Sequence, residues 1–276
     1  MRSKYIVKEL LKTVSEQLKE IERSQREAQL LLLYYLEKDE LWLITNQNSE
    51  VEIDDDFFTL VQRRAKNEPL EYITNRVSFY SKEFYVDEGA LIPRPETELL
   101  IDEVLKRVDS ETRDTFVEVG VGSGIISIVL ALHLPNAKFI AVDISPKALE
   151  VAKKNIEKFQ LQEKIELRLG SLLDVVDEEV DFLVSNPPYI ANDAKLESNL
   201  SYEPQNALFG GEIGDEIIKQ LLDAVLKRKI KFFSCEMGYD QQDKIVNYLK
   251  NKEFASLDFY KDLSQFDRGF TLKVTQ

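Results

Sequence analysis

Apolar residues recur every three or four positions along the first part of the chain, which is the spacing of amphipathic helices. Three aspartates at 54–56 stand directly before Phe57, and such carboxylates are typical of a helix start because they bind free amides and oppose the positive end of the helix dipole. We therefore predict helix throughout this region, as an all-helical domain over residues 1–75. The pattern runs from Lys4 to about Lys66 and includes Leu10, Leu11, Val14, Leu18 and Ile21.

The pattern changes between about residues 67 and 95, where prolines and short alternating runs replace the helical spacing. Two of these runs, Val77–Tyr80 and Glu83–Val86, predict the strands of a β-hairpin. We expect residues 76–93 to form a β-hairpin linker. Helical spacing resumes at Glu96–Val108, so residues 94–276 form the predicted second domain.

Strand-like and helix-like stretches alternate in this second region, which predicts an α/β fold with a mostly parallel sheet covered by helices. The tail differs, since two strand-like runs at 254–261 and 270–274 are separated by a short turn and predict a C-terminal antiparallel hairpin. The other predicted strands are Thr115–Val119, Lys138–Val142, Ile165–Leu169, Asp181–Ser185 and Lys229–Glu236. The predicted helices are Gly124–Leu134, Pro146–Phe159 and Asp215–Arg228.

The composition is that of a globular protein, with 43% hydrophobic and 31% charged residues. The 36 basic and 50 acidic side chains leave a net charge of −14, which opposes binding to nucleic acid through bulk charge. The clusters Arg63-Arg64 and Lys227-Arg228-Lys229 are small and lie among acids. We therefore expect no direct contact with nucleic acid.

His133 and Cys235 are the only residues of their types, which argues against a disulfide framework, a zinc cluster and a serine–histidine triad. We expect no metal site, with His133 on a helix surface and Cys235 in a buried strand. Charges interrupt the first residues and the apolar runs are too short to span a bilayer, so we predict a cytoplasmic protein without a signal peptide or a membrane partner.

A glycine-rich loop follows the first predicted strand of the sheet. Gly120, Gly122 and Gly124 alternate with Val121 and Ser123 immediately before a helix. Such a loop lets a ligand approach the backbone and leaves helix amides available for a carboxylate, although a plain tight turn is the alternative. A dinucleotide-binding loop has the spacing G-x-G-x-x-G, but this chain has Ile125 at the position of the last glycine. The loop also lacks the lysine of a P-loop.

Two carboxylates narrow the choice of ligand for this loop. Glu118 lies where it could meet an ammonium group, and Asp143 ends the next strand, where a carboxylate can accept both hydroxyls of a ribose. An ammonium, a carboxylate and a ribose together describe S-adenosyl-L-methionine better than a dinucleotide. The alternative for Asp143 is the N-cap of the following helix, a role that Ser145 could fill equally well.

The apolar strand at 181–185 ends in Asn186-Pro187-Pro188-Tyr189. The prolines hold the backbone rigid, so the Asn186 amide oxygen and the Pro187 carbonyl can accept the two hydrogens of one planar NH₂ group. Tyr189 can pack over the plane that carries this group. Orienting a weakly nucleophilic nitrogen in this way suits methyl transfer, and a proline-rich loop without function is the alternative.

The chain resembles the peptide chain release factor glutamine methyltransferases, the HemK/PrmC family. The resemblance covers nearly the whole chain and is most specific at Arg94–Glu98 and at Glu203–Gly211, since the Asn-Pro-Pro-Tyr motif alone also occurs in DNA and ribosomal RNA methyltransferases. It implies a class I, S-adenosylmethionine-dependent methyltransferase with a Rossmann-like, seven-stranded sheet. It also implies methylation of the glutamine side-chain nitrogen (N5) in the GGQ motif of class I release factors, gripped by the helical domain. A monomer is the default expectation.

Carried over by position, the resemblance assigns cofactor binding to the glycine loop, to Asp143, to Ser171 or Leu172 near the adenine, and to Asn186. It assigns the glutamine amide to residues 186–189 and the entrance of the site to Arg94 and Glu98, for which an ion pair between domains is the alternative. The chain departs from the family pattern at Val121, at Ser171-Leu172 and at Ser264.

Two other functions are consistent with parts of the sequence. The same motif could methylate N6 of adenine or N2 of guanine in DNA or rRNA, but a flipped base needs a stacking pocket and a basic track. A non-catalytic adaptor would have no reason to keep the glycine loop, Asp143 and residues 186–189 together. We therefore predict a release factor glutamine methyltransferase.

Overall fold

The computed structural model of the protein describes residues 2–196 and 198–275. These residues cluster into two compact units. The first contains residues 2–76 and 198–202, and the second contains residues 77–196 and 203–275. The limits set from the sequence for the helical domain (1–75), the linker (76–93) and the second domain (94–276) stay predictions.

The first unit is mainly helical, as its apolar spacing predicts. Leu10, Leu31 and Phe57 are among the buried side chains of its core. One predicted helix start is confirmed, because the Asp54 carboxylate accepts a hydrogen bond of 3.1 Å from the Asp56 amide. The helices are α1 (Val7–Gln17), α2 (Ser24–Leu36), α3 (Glu40–Thr45), α4 (Asp55–Ala65) and α5 (Leu70–Thr74).

The expectation of helix throughout this unit is wrong at two places. Strands β1 (Ser3–Ile6) and β2 (Glu50–Ile53) pair antiparallel. In β2 the side chains alternate between exposed and buried, with Val51 and Ile53 inward, which is the period of a strand. Strand β2 has only four residues, too few to display the two-residue period clearly in the sequence. Its partner β1 lies more than 40 positions earlier in the chain.

The strands of the second unit are β3 (Val77–Phe79), β4 (Lys82–Phe84), β5 (Thr115–Val119), β6 (Lys138–Asp143), β7 (Ile165–Leu169), β8 (Phe182–Ser185), β9 (Ile190–Ala191), β10 (Phe209–Gly211), β11 (Phe232–Glu236), β12 (Ser256–Lys261) and β13 (Asp267–Lys273). Within the described residues, seven of them form one sheet in the order β12-β13-β11-β8-β5-β6-β7. Strands β5, β6, β7, β8 and β11 run parallel, and β13 pairs antiparallel with both β11 and β12. The predicted α/β fold and its C-terminal antiparallel hairpin are confirmed.

Helices cover both faces of this sheet, as the alternating pattern predicts. On one face Phe116 stacks between Phe139 and Phe182, with ring centroids 5.1 and 4.8 Å apart. The opposite face buries Val117, and Cys235 is buried there in β11 as predicted. The helices of the second unit are α6 (Thr97–Leu105), α7 (Ile125–His133), α8 (Pro146–Lys158), α9 (Glu216–Arg228) and α10 (Gln242–Leu249).

Several smaller predictions about this unit are also decided by the structure. Strands β3 and β4 form the expected hairpin. His133 is the exposed last residue of α7, as expected for a helix-surface residue. Helix α10 and the short parallel pair of β9 with β10 were not predicted. No helix within residues 2–196 and 198–275 has the length and apolar character needed to cross a lipid bilayer.

The strand order places a topological switch point at β5. The chain leaves β5 towards β6 and β7 on one side and then returns to β8 on the other side. Ligands of open parallel sheets bind beyond the carboxyl ends of the strands at such a point. The loops after β5, β6 and β8 are therefore the segments that build the site.

Candidate active site

A cleft opens at this edge of the sheet, within the second unit. The loops after the parallel strands supply most of its lining, because the carboxyl ends of parallel strands meet at one edge. Its lining includes most of the residues singled out from the sequence: Arg94, Glu118, Gly120, Val121, Gly122, Ser123, Asp143, Ser171, Leu172, Asn186, Pro187 and Pro188. Gly124, Tyr189 and Glu98 are not among the lining residues.

The glycine loop takes a conformation that side chains rarely adopt. Gly122 has a φ of +52° and Gly124 a φ of +82°, both in the left-handed region. Gly124 precedes α7, and a Cβ added to it would lie 3.3 Å from the Ala152 side chain of α8. Gly124 thus allows two helices to pack closely, while Gly122 and its neighbours face the cleft.

The Asp143 carboxylate organises the loops after β5 and β6. Its Oδ2 accepts a hydrogen bond of 3.0 Å from the Gly122 amide, and its Oδ1 accepts one of 2.9 Å from the Ser145 amide. The N-cap of α8 is Ser145, whose hydroxyl accepts a bond of 3.3 Å from the Ala148 amide. Asp143 is therefore not the helix cap, and its carboxylate lines the cleft, where burial raises its pKa.

Glu118 is a buried carboxyl group with one oxygen left over. The residue is only 3% exposed. Its Oε2 accepts hydrogen bonds from the amide, at 2.9 Å, and from the hydroxyl of Ser127, whereas Oε1 has no partner among the described residues. Burial raises the pKa of Glu118 to about 8. An orphaned carboxylate oxygen beside a cleft fits a positively charged ligand group.

The segment after β8 is anchored at both of its ends. At its start, the Ser185 hydroxyl donates a bond of 2.7 Å to the Val119 carbonyl on the neighbouring strand. Asn186 donates from Nδ2 to the Thr97 hydroxyl at 3.2 Å, and the Tyr189 hydroxyl donates to Glu236 at 3.2 Å. Pro187 and Pro188 line the cleft between these two anchored side chains.

Arg94 and Glu98 have different surroundings. Arg94 lines the cleft and pairs with Glu203, a buried residue that also accepts a bond of 3.0 Å from the Ile92 amide. Both partners lie in the second unit, so the alternative of an ion pair between domains is wrong for Arg94. Glu98 accepts a bond of 2.7 Å from the Tyr80 amide and thereby ties the β3–β4 hairpin to α6.

Ser171 and Leu172 lie in the loop after β7. The preceding Gly170 amide donates a bond of 3.0 Å to the Asp143 carbonyl, which holds this turn against the end of β6. Both residues line the cleft, where the resemblance expects the adenine.

Several lining residues were not assigned a role from the sequence, although most belong to the segments that carry the resemblance. They come from the chain before α6, from α6 itself, and from the segment after Glu203. These three segments contribute Gly89, Ala90, Leu91, Pro93, Thr97, Pro204, Asn206 and Ala207, and Ile217 and Gln220 of α9 also line the cleft. Their positions depend on contacts between segments far apart in the chain, which a local pattern does not report.

No group of three or more His, Cys, Asp and Glu side chains in the described part of the chain could hold a metal ion. His133 lies away from the cleft lining, with Nδ1 2.8 Å from the Val129 carbonyl and its ring edge-on to Tyr80. The polar side-chain groups at the cleft are carboxylates, amides, hydroxyls and the Arg94 guanidinium.

Comparison with known proteins identifies the family. A model described as the PrmC N-terminal domain matches residues 9–74, and one described as the methyltransferase small domain matches residues 94–209. The release factor glutamine methyltransferase of Clostridium acetobutylicum is 34% identical over 253 residues, which cover 88% of this chain and 88% of the relative. The chain belongs to the release factor glutamine methyltransferase family.

A second relative in this family extends the match. The release factor glutamine methyltransferase of Dictyoglomus turgidum is 38% identical over 253 residues, covering 89% of this chain and 90% of the relative. Among solved structures, the human hMettl16 catalytic domain in complex with the MAT2A 3′UTR hairpin 6 superposes with a TM-score of 0.58. It covers 83% of this chain and 86% of its own at 14% identity, so this similarity concerns the fold alone.

Proposed function

We propose that this protein transfers a methyl group from S-adenosylmethionine to the side-chain amide nitrogen of a glutamine in a peptide chain release factor. The observation that carries this proposal is the position of Asn186, Pro187 and Pro188 on the same cleft as the glycine loop and Asp143. Membership of the release factor glutamine methyltransferase family supports the same reaction and the same class of substrate.

The residues of the cleft fit the cofactor. The unpartnered Oε1 of Glu118 is available for the ammonium group, and Asp143 can accept the ribose hydroxyls through the remaining lone pairs of its two oxygens. The backbone of residues 120–123 would border the methionine moiety, and Ser171 and Leu172 would lie towards the adenine. When bound, S-adenosylmethionine supplies an electrophilic methyl group on a sulfonium.

The segment after β8 binds the acceptor nitrogen of the substrate. Asn186 Oδ1 and the Pro187 carbonyl accept the two amide hydrogens of the glutamine, which orients a nitrogen whose lone pair is otherwise delocalised. The rigid Pro187-Pro188 backbone keeps these acceptors in place. The Tyr189 hydroxyl donates to Glu236 at 3.2 Å, which anchors the end of this segment behind the residues that line the cleft.

We also propose which glutamine is methylated and which parts of this chain bind the release factor. The acceptor is the glutamine of the GGQ motif in class I release factors, the helical N-terminal region grips the factor, and Arg94 borders the entrance, whereas Glu98 does not line the cleft. The net charge of −14 favours a protein substrate over nucleic acid. We expect a cytoplasmic monomer without a membrane partner.

A methyl-transfer assay tests the proposal. The protein is incubated with S-adenosylmethionine labelled on its methyl group and with a purified class I release factor, the same factor changed from GGQ to GGA, or duplex DNA. We expect label on the GGQ factor alone, and none when Asn186→Ala replaces the wild-type enzyme. Label on DNA, or equal label on the GGA factor, would overturn the assignment.

A further inference from the structure

A chain of buried hydrogen bonds begins at the proposed substrate-binding asparagine. Asn186 donates from Nδ2 to Thr97 Oγ1 at 3.2 Å, and Thr97 donates from Oγ1 to Glu236 Oε2 at 2.7 Å. The other oxygen of Glu236 accepts from the Tyr189 hydroxyl at 3.2 Å. Thr97 is 1% exposed and Glu236 is 2% exposed, so water does not compete for these bonds.

The direction of each bond in this chain follows from the groups present. An ionised carboxylate only accepts, so the Thr97 hydroxyl must give its single hydrogen to Glu236. The Thr97 oxygen can then accept, and the group that Asn186 offers it is the NH₂ end of the amide. This orientation leaves the amide oxygen of Asn186 as the group to present to a ligand.

We propose that Glu236 is a positioning residue that acts through Thr97 and Tyr189 to keep the Asn186 oxygen directed towards the substrate nitrogen. The inference rests on the proposed function, since it concerns how the same site holds the amide. Neither Glu236 nor Tyr189 is among the residues that line the cleft. Glu236 therefore acts behind the residues that meet the ligand.

The ionisation of Glu236 gives the network a pH dependence. Burial raises its pKa to about 7, against the opposing effect of its bonds from Thr97 and Tyr189. The charge of Glu96 also raises it, that of Arg268 lowers it, and the buried Tyr260 and Cys235 groups interact with the same carboxyl.

Protonation would turn one oxygen of Glu236 into a donor. If that oxygen donates to Thr97, the Thr97 hydrogen points back at Asn186 and favours the amide orientation that presents NH₂ to the substrate. Two NH₂ groups repel each other. Turnover should therefore rise with pH through about 7 as Glu236 ionises.

Variants of nearly equal shape test this positioning role. Glu236→Gln keeps the size of the side chain, Thr97→Val replaces the hydroxyl with a methyl group, and Thr97→Ser keeps a hydroxyl. We expect Glu236→Gln and Thr97→Val to lower kcat by about 10- to 100-fold, the range known for groups that orient ligands from behind, and Thr97→Ser to recover most of that loss. The acid limb near pH 7 should be absent from the Glu236→Gln profile.

S-adenosylhomocysteine affinity and the melting temperature of each variant, measured alongside, report whether the cleft and fold are intact. Wild-type kcat with an unchanged acid limb in Glu236→Gln would overturn the inference, as would Thr97→Ser as slow as Thr97→Val. If the wild type methylates the release factor and the variants are equally active, the proposed function holds and only the positioning role is wrong. If the wild type methylates another acceptor, the proposed function fails and the same variants are compared on that acceptor.

Discussion

The Gly122 amide donates a hydrogen bond of 3.0 Å to Oδ2 of Asp143, a residue 21 positions further along the chain. This bond joins the glycine loop after β5 to the end of β6. The same carboxylate receives the Ser145 amide on its other oxygen, at 2.9 Å. One side chain thus holds the shape of the loop and borders the cleft, so that loop conformation and ligand binding depend on the same group.

Replacing Asp143 by alanine should weaken cofactor binding more than catalysis by the bound enzyme. The variant loses the proposed bonds to the ribose and the support of the Gly122 amide, and bonds to a charged acceptor contribute about 1.5–3 kcal/mol each. We expect the Kd for S-adenosylhomocysteine, measured by calorimetry, to rise by about 10-fold or more. Ser145→Ala is the matched control, because it removes a helix cap and leaves the carboxylate; equal affinities in both variants would contradict the role of Asp143.

Replacing Asn186 by alanine should abolish glutamine methylation, with a much smaller effect on the fold. The variant loses the amide oxygen that orients the acceptor nitrogen, and losing one such preorganised group costs about 100-fold or more in kcat. Steady-state kinetics with a release factor measure this effect. Asn192→Ala, at an exposed asparagine in the following loop, should behave as wild type. Wild-type turnover by Asn186→Ala would remove the proposed mechanism.

Glu118 should make the protein less stable as the pH rises. Its pKa is about 8 in the folded protein and near 4.5 when exposed, so the folded state holds the proton more tightly. This contribution to the free energy of unfolding is fully present below about pH 4.5 and is lost as pH rises through about 8. Thermal melts of Glu118→Gln against wild type should show a larger gain in stability at pH 8 than at pH 5, and an equal difference at both would contradict the shift.

The same carboxyl group predicts proton release on cofactor binding. An ammonium beside Glu118 favours the ionised form and lowers its pKa, so binding near pH 7 should release a proton. Calorimetry of S-adenosylhomocysteine binding in two buffers with different ionisation enthalpies measures this release. We expect the buffer dependence to be smaller in Glu118→Gln, and an unchanged dependence would show that another group supplies the proton.

The pair of Arg94 with Glu203 should stabilise the wall of the cleft. Glu203 is buried and receives both the Arg94 guanidinium and the Ile92 amide, so Glu203→Ala leaves two donors without a partner. The expected loss is about 1–3 kcal/mol, since Arg94 is partly exposed and water can replace some of its contact. Glu203→Gln keeps an acceptor and should lose less; urea unfolding that ranks Glu203→Ala level with wild type would contradict this role.

The main features of the catalytic fold follow from local sequence pattern. The runs Thr115–Val119 and Asp181–Ser185 alternate with helical stretches, and this pattern predicts both as parallel strands of an α/β sheet. The prediction of these elements succeeds because a strand buried on both faces is a short apolar run and an amphipathic helix has a regular apolar spacing. Both signals are visible within a few residues. The glycine loop, Asp143 and residues 186–189 were singled out for a similar reason, since their unusual residue types stand at strand ends.

Tertiary structure decided the partners of these residues. The sequence left Asp143 and Ser145 as equal candidates for the cap of α8, and only the fold shows Ser145 in that position while Asp143 binds the Gly122 amide. The β1–β2 ribbon inside a region expected to be helical has the same origin, because a short strand depends on a partner that local spacing does not reveal.

The hydrogen-bonded link from Asn186 through Thr97 to Glu236 shows most clearly what local sequence pattern cannot predict. Its members lie on a loop, at the start of a helix and at the end of a strand, 89 positions apart for the first bond and 139 for the second. Thr97 and Glu236 are ordinary residue types in their local settings. Hydrogen bonding acts over about 3 Å in space without regard to distance along the chain, so folding alone brings these three side chains together.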